Sequence, residues 1–261
     1  MKRSLKQWLM QLELHPNDWQ VALIVTDLTK IESPGLVIGF DLDYTLLRLN
    51  QDPLGVHQDV LKLHGIEPDI GRLEEAYEKT WEQYMQEGYK YATQDIAYHE
   101  GIVMTLNEAG VHGPCEQLAR EILTQLEAPG VIGPYPDAHK VLEEYSDAGI
   151  PLILVTGRWH DPSEDLRRTG LDKYFQDVFY AGSVGHQKDS IKFWRHVMRD
   201  LEIRSQELIV VDDSFPSVCA ARQTGAKAFL MERPDSPLSS QASADLCGLA
   251  ELTLLIKSPT H

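Results

Sequence analysis

Cysteine is scarce in this chain. Cys115, Cys219 and Cys247 are the only three among 261 residues, and none stands at zinc-ligand spacing from another. That argues against a disulfide-stapled or thiolate-zinc protein and suits reduced thiols in the cytoplasm. Long apolar runs are missing too; none approaches the roughly 20 residues that cross a bilayer. The opening stretch, Met1 to Leu12, mixes basic and apolar residues without a continuous apolar segment, so a secretory signal is not expected. Positive charge is short. Forty Asp and Glu outnumber 24 Lys and Arg, a formal net charge of -16, which argues against sequence-independent binding to nucleic acid or to an anionic membrane. A phosphorylated small molecule stays open, because one local cation and a few donors hold a phosphate. The ten histidines form no H-x-x-x-H cluster.

Apolar residues are plentiful, at 43%, which supplies a core for one large domain or a core with an insertion. Three short apolar runs carry the strongest pattern. Leu36 to Phe40 stops on Asp41-Leu42-Asp43-Tyr44-Thr45, Pro151 to Val155 on Thr156-Gly157-Arg158, and Leu208 to Val211 on Asp212-Asp213. Runs without period-two alternation suit strands buried on both faces of a parallel sheet. Ligands of such sheets bind beyond the carboxyl ends of the strands. If the three are neighbours, four carboxylates and a threonine hydroxyl share one crevice. Like-charge repulsion there calls for a cation, and an all-oxygen donor set favours magnesium.

With these residues in order, the chain resembles the haloacid dehalogenase superfamily of phosphohydrolases. The motif D-x-D-x-T is read at Asp41-Leu42-Asp43-Tyr44-Thr45, the strand-ending Thr at Thr156, the lysine at Lys188 and the acidic pair at Asp212-Asp213, over roughly residues 36 to 231. The resemblance implies a catalytic set of Asp41 as nucleophile, Asp43 as general acid and base, and Lys188 as the stabilising cation. It implies phosphate contacts from Thr156, the Gly157 amide and Lys188, and a magnesium site made by Asp41, the Asp43 carbonyl, Asp213 and Asp212. Asp213 matches the family pattern better as a direct ligand. Asp212 stands where the commoner pattern has Gly, and Ser217 where it has a later Asp. Neighbouring carboxylates are expected to raise the pKa of Asp43. Lys192 competes with Lys188, but inside a helix a solvated lysine is its ordinary reading. Arg158 reads either as a surface salt bridge or as a substrate contact.

Alternating strands and helices from residue 130 onward predict a doubly wound parallel-sheet, Rossmann-like α/β core, assigned to 36–50 and 130–261. Residues 1–35 read as a helical N-terminal extension, and 51–129 as an all-helical insertion with no strand. In the resembled family such an insertion is a cap over the active site. Its aromatic residues, Tyr77, Trp81, Tyr84, Tyr89, Tyr91 and Tyr98, read mainly as packing of a small bundle, with stacking on a base or sugar as the alternative. The stretch from Arg233 to Ala244 reads as a surface loop.

Keeping both Asp41 and Asp43 favours phosphate-ester hydrolysis within the resembled family, because dehalogenating members lack the second acid. The expectation is magnesium-dependent hydrolysis of a small phosphorylated metabolite: a sugar phosphate, a nucleotide monophosphate or a phosphoglycolate-like ester. A nucleotide is suggested by Asp41-Leu42-Asp43-Tyr44-Thr45-Leu46, which is similar to the first motif of cytosolic purine 5′-nucleotidases. A phosphotransferase or mutase of the same fold, or a non-catalytic binding protein retaining it, stands as the alternative.

Overall fold

The computed structural model describes residues 35–233 and 244–252. The expected helical N-terminal extension and most of the expected surface loop from Arg233 to Ala244 lie outside those residues.

Five parallel strands form the central sheet: β1 (Val37–Phe40), β4 (Leu152–Thr156), β5 (Asp177–Tyr180), β6 (Leu208–Asp212) and β7 (Lys227–Leu230). Their order is β5-β4-β1-β6-β7. The chain leaves β1 toward β4 on one side and later returns to β6 on the other. The strand order therefore reverses between β1 and β6, the place where open α/β sheets bind ligands. Register sets what meets there. Phe40 lies opposite Val211 on β6 and Leu154 on β4, so Asp41 and Asp212 emerge side by side.

The apolar runs are continuous because both sheet faces are covered. Ile38, Phe40, Leu154 and Val211 pack on one face with Val141, Leu142 and Tyr145 of α5 (Ala138–Asp147). Val37, Ile153, Val155 and Val210 pack on the other face. There they meet Phe193, Trp194 and Val197 of α8 (Ile191–Asp200) and Val218 and Ala221 of α9 (Phe215–Gln223). Side chains of this size contribute about 1.5–3 kcal/mol each when fully buried.

Between β1 and α5 lie four longer helices: α1 (Pro53–Leu63), α2 (Ile70–Glu87), α3 (Gln94–Glu108) and α4 (Cys115–Leu126). They have a core of their own, centred on Val60, Leu61, Leu73, Leu106, Leu118 and Ile122. Their starts are written in the sequence. Asp52, Asp69 and Thr93 accept the first free amides of α1, α2 and α3, and Pro53 opens α1.

Three details add to the sequence reading or correct it. Leu47–Leu49 forms β2, paired antiparallel with β3 (Ile132–Pro134) where the helical insertion joins the core; three-residue strands are too short to show a periodicity. The short helix α6 (Ser163–Thr169) starts after Pro162, where the Asp161 carboxylate closes a turn on the Ser163 amide. Arg233 does not loop over the surface. It is buried, with both terminal nitrogens 3.0 Å from the Asp137 carboxylate, one of them 2.9 Å from the Thr45 carbonyl, and its guanidinium 4.1 Å over the Tyr135 ring. This pins the chain after β7 beneath the loop that carries Asp41 and Asp43.

Candidate active site

Asp41, Asp212 and Asp213 each offer a carboxylate oxygen within 4.8 Å of the others, and all three are buried. The Asp41 amide bonds the Val211 carbonyl at 2.9 Å, which holds the turn after β1 against β6. Lys188 reaches them from the loop between α7 (Ala181–Val184) and α8. Its ammonium pairs with Asp41 and, at 2.7 Å, with Asp212. The backbone of this loop is held by Trp194, whose indole N–H donates to the Lys188 carbonyl at 2.7 Å. Lys192 is solvent-exposed on α8, the ordinary position of a helix-surface lysine.

Three carboxylates and one ammonium leave an excess of negative charge away from water. Burial pushes the Asp41 pKa well up; Lys188 opposes this, while Asp212, Asp213 and Asp43 add to it. Burial acts the other way on Lys188, but Asp212 and Asp41 outweigh it and raise its pKa. The donor set fits a hard divalent cation. It is all oxygen, it converges, and its charge is only partly offset. Both oxygens of Asp212 are engaged, Oδ2 by Lys188 and Oδ1 by the Ser214 amide at 2.9 Å.

The carboxylate of Asp43 does not join this group. Arg158 grips it from the loop after β4, Nε to Oδ2 at 2.8 Å and Nη2 to Oδ1 at 2.6 Å. Burial would raise the Asp43 pKa, but the charge and hydrogen bonds of Arg158, with some help from Lys188, hold it below the usual carboxylate range. This reverses the expectation that neighbouring acids raise it: the guanidinium is in contact and the acids are not. Arg158 is likewise not a surface residue. It is buried, and its remaining terminal nitrogen bonds Asp165 of α6 at 2.5 Å. Asp165 is also paired with Arg168. Nothing in the local sequence marks Asp165 for this place except its position one helical turn before Arg168.

Thr156 ends β4 with its hydroxyl buried and accepting the Arg158 amide at 3.3 Å. Space above Gly157 is already used. A Cβ there would lie 3.1 Å from Gln187 Oε1, 3.6 Å from the Met85 methyl and 3.7 Å from Lys188 Cε. Met85 belongs to α2, so the helical insertion reaches the site. Its carbonyl accepts Trp159 Nε1 at 2.8 Å and Gln187 Nε2 at 2.9 Å, and His160 Nε2 meets the Tyr91 carbonyl at 3.0 Å. The aromatic residues of the insertion divide. Tyr84 is buried against Tyr98, ring centroids 5.5 Å apart, whereas Trp81 is 47% and Tyr89 59% exposed. Burial, before any charge effect, raises both Tyr84, to about 12, and Tyr98.

Tyr44 has φ 57°, in the left-handed region. A β-carbon there costs roughly 1–2 kcal/mol, which glycine avoids. Tyr44→Gly should therefore be more stable than Tyr44→Ala by about 1 kcal/mol, read from urea midpoints. Equal midpoints would show that the turn relaxes out of this conformation.

A switch-point crevice lined with acids and a buried lysine, reached by Met85 of the helical insertion, defines the class: a doubly wound α/β protein with a helical cap. Residues 38–231 match the family model of haloacid dehalogenase-like hydrolases, and the chain belongs to that family. A phosphoglycolate phosphatase of Vibrio parahaemolyticus is 30% identical over 99 residues, 36% of this chain and 42% of that one. The chain thus spans less than half of that relative's length. The GMP/IMP nucleotidase YrfG of Escherichia coli is 27% identical over 161 residues, covering 60% of this chain and 70% of its own. Among solved structures, a dehalogenase superposes with TM-score 0.64 at 17% identity, covering 86% of this chain and 98% of its own. A HAD phosphatase of Thermococcus onnurineus superposes with TM-score 0.58 at 23% identity, covering 85% and 98%. At those identities the structural likeness is one of fold. Among the described residues no helix is long and apolar enough to cross a membrane.

Proposed function

We propose that this chain hydrolyses the phosphate monoester of a small metabolite with magnesium, through an aspartyl-phosphate on Asp41. The observation that carries the reading is the buried contact of Asp41 with Lys188, with Asp43 two residues away and the Asp212-Asp213 pair beside it. An Asp41 oxygen attacks phosphorus as the ester P–O bond breaks, and the leaving oxygen takes a proton from Asp43. Water then attacks the acyl phosphate as Asp43 takes its proton, which releases inorganic phosphate and restores Asp41. Lys188 stays charged and offsets the negative charge gathering on the transferring group, while the Thr156 hydroxyl and Gly157 amide hold its oxygens. A phosphate dianion beside Asp43 opposes Arg158 and eases protonation of that carboxyl. Asp41, Asp213 and the Asp43 carbonyl would hold the magnesium, with Asp212 committed chiefly to Lys188. When bound, the ion supplies positive charge for binding and charge neutralisation.

Residues 51–129 are read as a cap whose Met85 latch closes the site, and residues 1–35 as an extension to the core. The free cysteines support a cytoplasmic setting. The substrate class follows relatives named for phosphoglycolate and for GMP and IMP. The test is phosphate release from a panel of sugar phosphates, nucleotides and phosphoglycolate, with magnesium and with EDTA. Hydrolysis of one compound that stops in EDTA supports the reading. Transfer of the phosphoryl group to an added sugar in place of phosphate release would make the chain a phosphotransferase. No turnover by folded protein would make it a binding protein.

A further inference from the structure

The pairing of Asp43 with Arg158 is more than charge balance. A lone carboxylate at the tip of a turn has a nearly free rotation about its terminal bond. Arg158 removes that freedom, because two parallel N–H···O bonds from a planar guanidinium fix the carboxylate plane as well as its distance. Arg158 is itself held by Asp165 at 2.5 Å, and the next link, Arg168, holds Asp165 from the same helix. The chain Asp43–Arg158–Asp165–Arg168 thus runs from the crevice into α6, and its inner members are buried. Removing charge from water in this way is costly unless each partner is satisfied, and here every carboxylate oxygen of Asp43 and Asp165 has an arginine nitrogen.

We propose that Arg158, seated by Asp165, is a positioning residue that aims the Asp43 carboxyl at the leaving-group oxygen. This rests on the hydrolase reading above, in which Asp43 delivers a proton to that oxygen as the ester bond breaks. An alkoxide leaving group needs the proton; a 4-nitrophenolate leaves as the anion and does not. Loss of aim therefore harms alkyl esters selectively. The second half of turnover is common to all esters, so kcat/KM, which reports only up to departure of the leaving group, is the quantity to compare.

Wild type and Arg158→Ala are compared on 4-nitrophenyl phosphate and on the alkyl phosphate that wild type hydrolyses fastest. The expected result is a fall in kcat/KM at least about tenfold larger on the alkyl ester. Arg158→Lys, which keeps the charge but not the two-point grip, should restore only part of it. Should Arg158→Ala strand Asp165 and fail to fold, Arg158→Ala/Asp165→Asn removes the stranded carboxylate and serves in its place. An equal fall in kcat/KM on both esters would overturn the inference and point to a structural role. A folded wild type inactive on every ester would overturn the hydrolase reading as well, and so is told apart from failure of the inference alone.

Discussion

Asp41→Asn should abolish phosphate release and, in EDTA, melt above wild type. The first half follows from the proposed chemistry: a carboxamide cannot form the acyl phosphate, and loss of a nucleophile that acts with its partners removes on the order of 10⁴-fold or more in kcat. The second half follows from electrostatics. Burial, and then the carboxylates of Asp212, Asp213 and Asp43, push the Asp41 pKa well above that of the unfolded chain, despite Lys188. A carboxyl with a raised folded pKa binds its proton more tightly in the native state. Its ionised form therefore counts against folding at every pH above its unfolded value of about 3.9. Asparagine removes that charge and leaves Lys188 its 2.7 Å pairing with Asp212. A gain of about 1 kcal/mol corresponds to about 2–4 °C in a chain of this size. Magnesium should reverse the order. Saturating the wild-type site a hundredfold above Kd adds about 2.7 kcal/mol, and the variant, short of one charged ligand, should gain less. Calorimetry with EDTA and with magnesium checks both signs, and an Asp41→Asn variant that melts below wild type in EDTA would show that the Lys188 contact outweighs the crowding.

Such a trade of stability for a charged site explains why the chemistry was legible before the fold was. Acids at strand ends break the apolar runs abruptly, so Asp41, Thr156 and Asp212 stand out from sequence alone. The parallel sheet was legible because strands covered on both faces need no alternation. Partners chosen through space were not legible. Asp43 and Arg158 are 115 residues apart and Asp165 is one of two acids on an exposed-looking helix; only folding brings them together and turns the pKa of Asp43 downward. The same holds for the Met85 carbonyl, a backbone group that carries no sequence signal yet receives both Trp159 and Gln187. Two close approaches in that region are readable afterward from glycine. A Cβ on Gly88 would fall 2.4 Å from the Trp159 ring, and one on Gly182 would fall 1.9 Å from the Trp159 carbonyl oxygen.

Lys188→Met should show the opposite signature to Asp41→Asn, losing activity and stability together. The methionine keeps most of the length of the side chain and deletes the ammonium in contact with Asp41 and Asp212. Removing one partner of a buried ion pair commonly costs about 3–5 kcal/mol, because the charges left behind stay out of water. Here two carboxylates are left, with Asp213 beside them. The pH dependence follows from the shift of the lysine. Its folded pKa is raised above the unfolded value of about 10.4, so its contribution is fully present below that pH and is lost only as pH rises through the folded pKa. The wild-type advantage over Lys188→Met should therefore not fade as pH rises from neutrality to 9 by any titration of this lysine. In the variant, protonating the stranded acids becomes the remaining relief, so its stability should recover toward acid pH. Magnesium should stabilise Lys188→Met at least as much as wild type, since the ion then meets a more negative site, yet kcat should stay lower by about 10²–10³-fold for want of the cation on the transferring group. Urea titrations at several pH values, with and without magnesium, separate these effects. A variant as stable as wild type across that range would mean that the acids, not the lysine, yield when the site is emptied of charge.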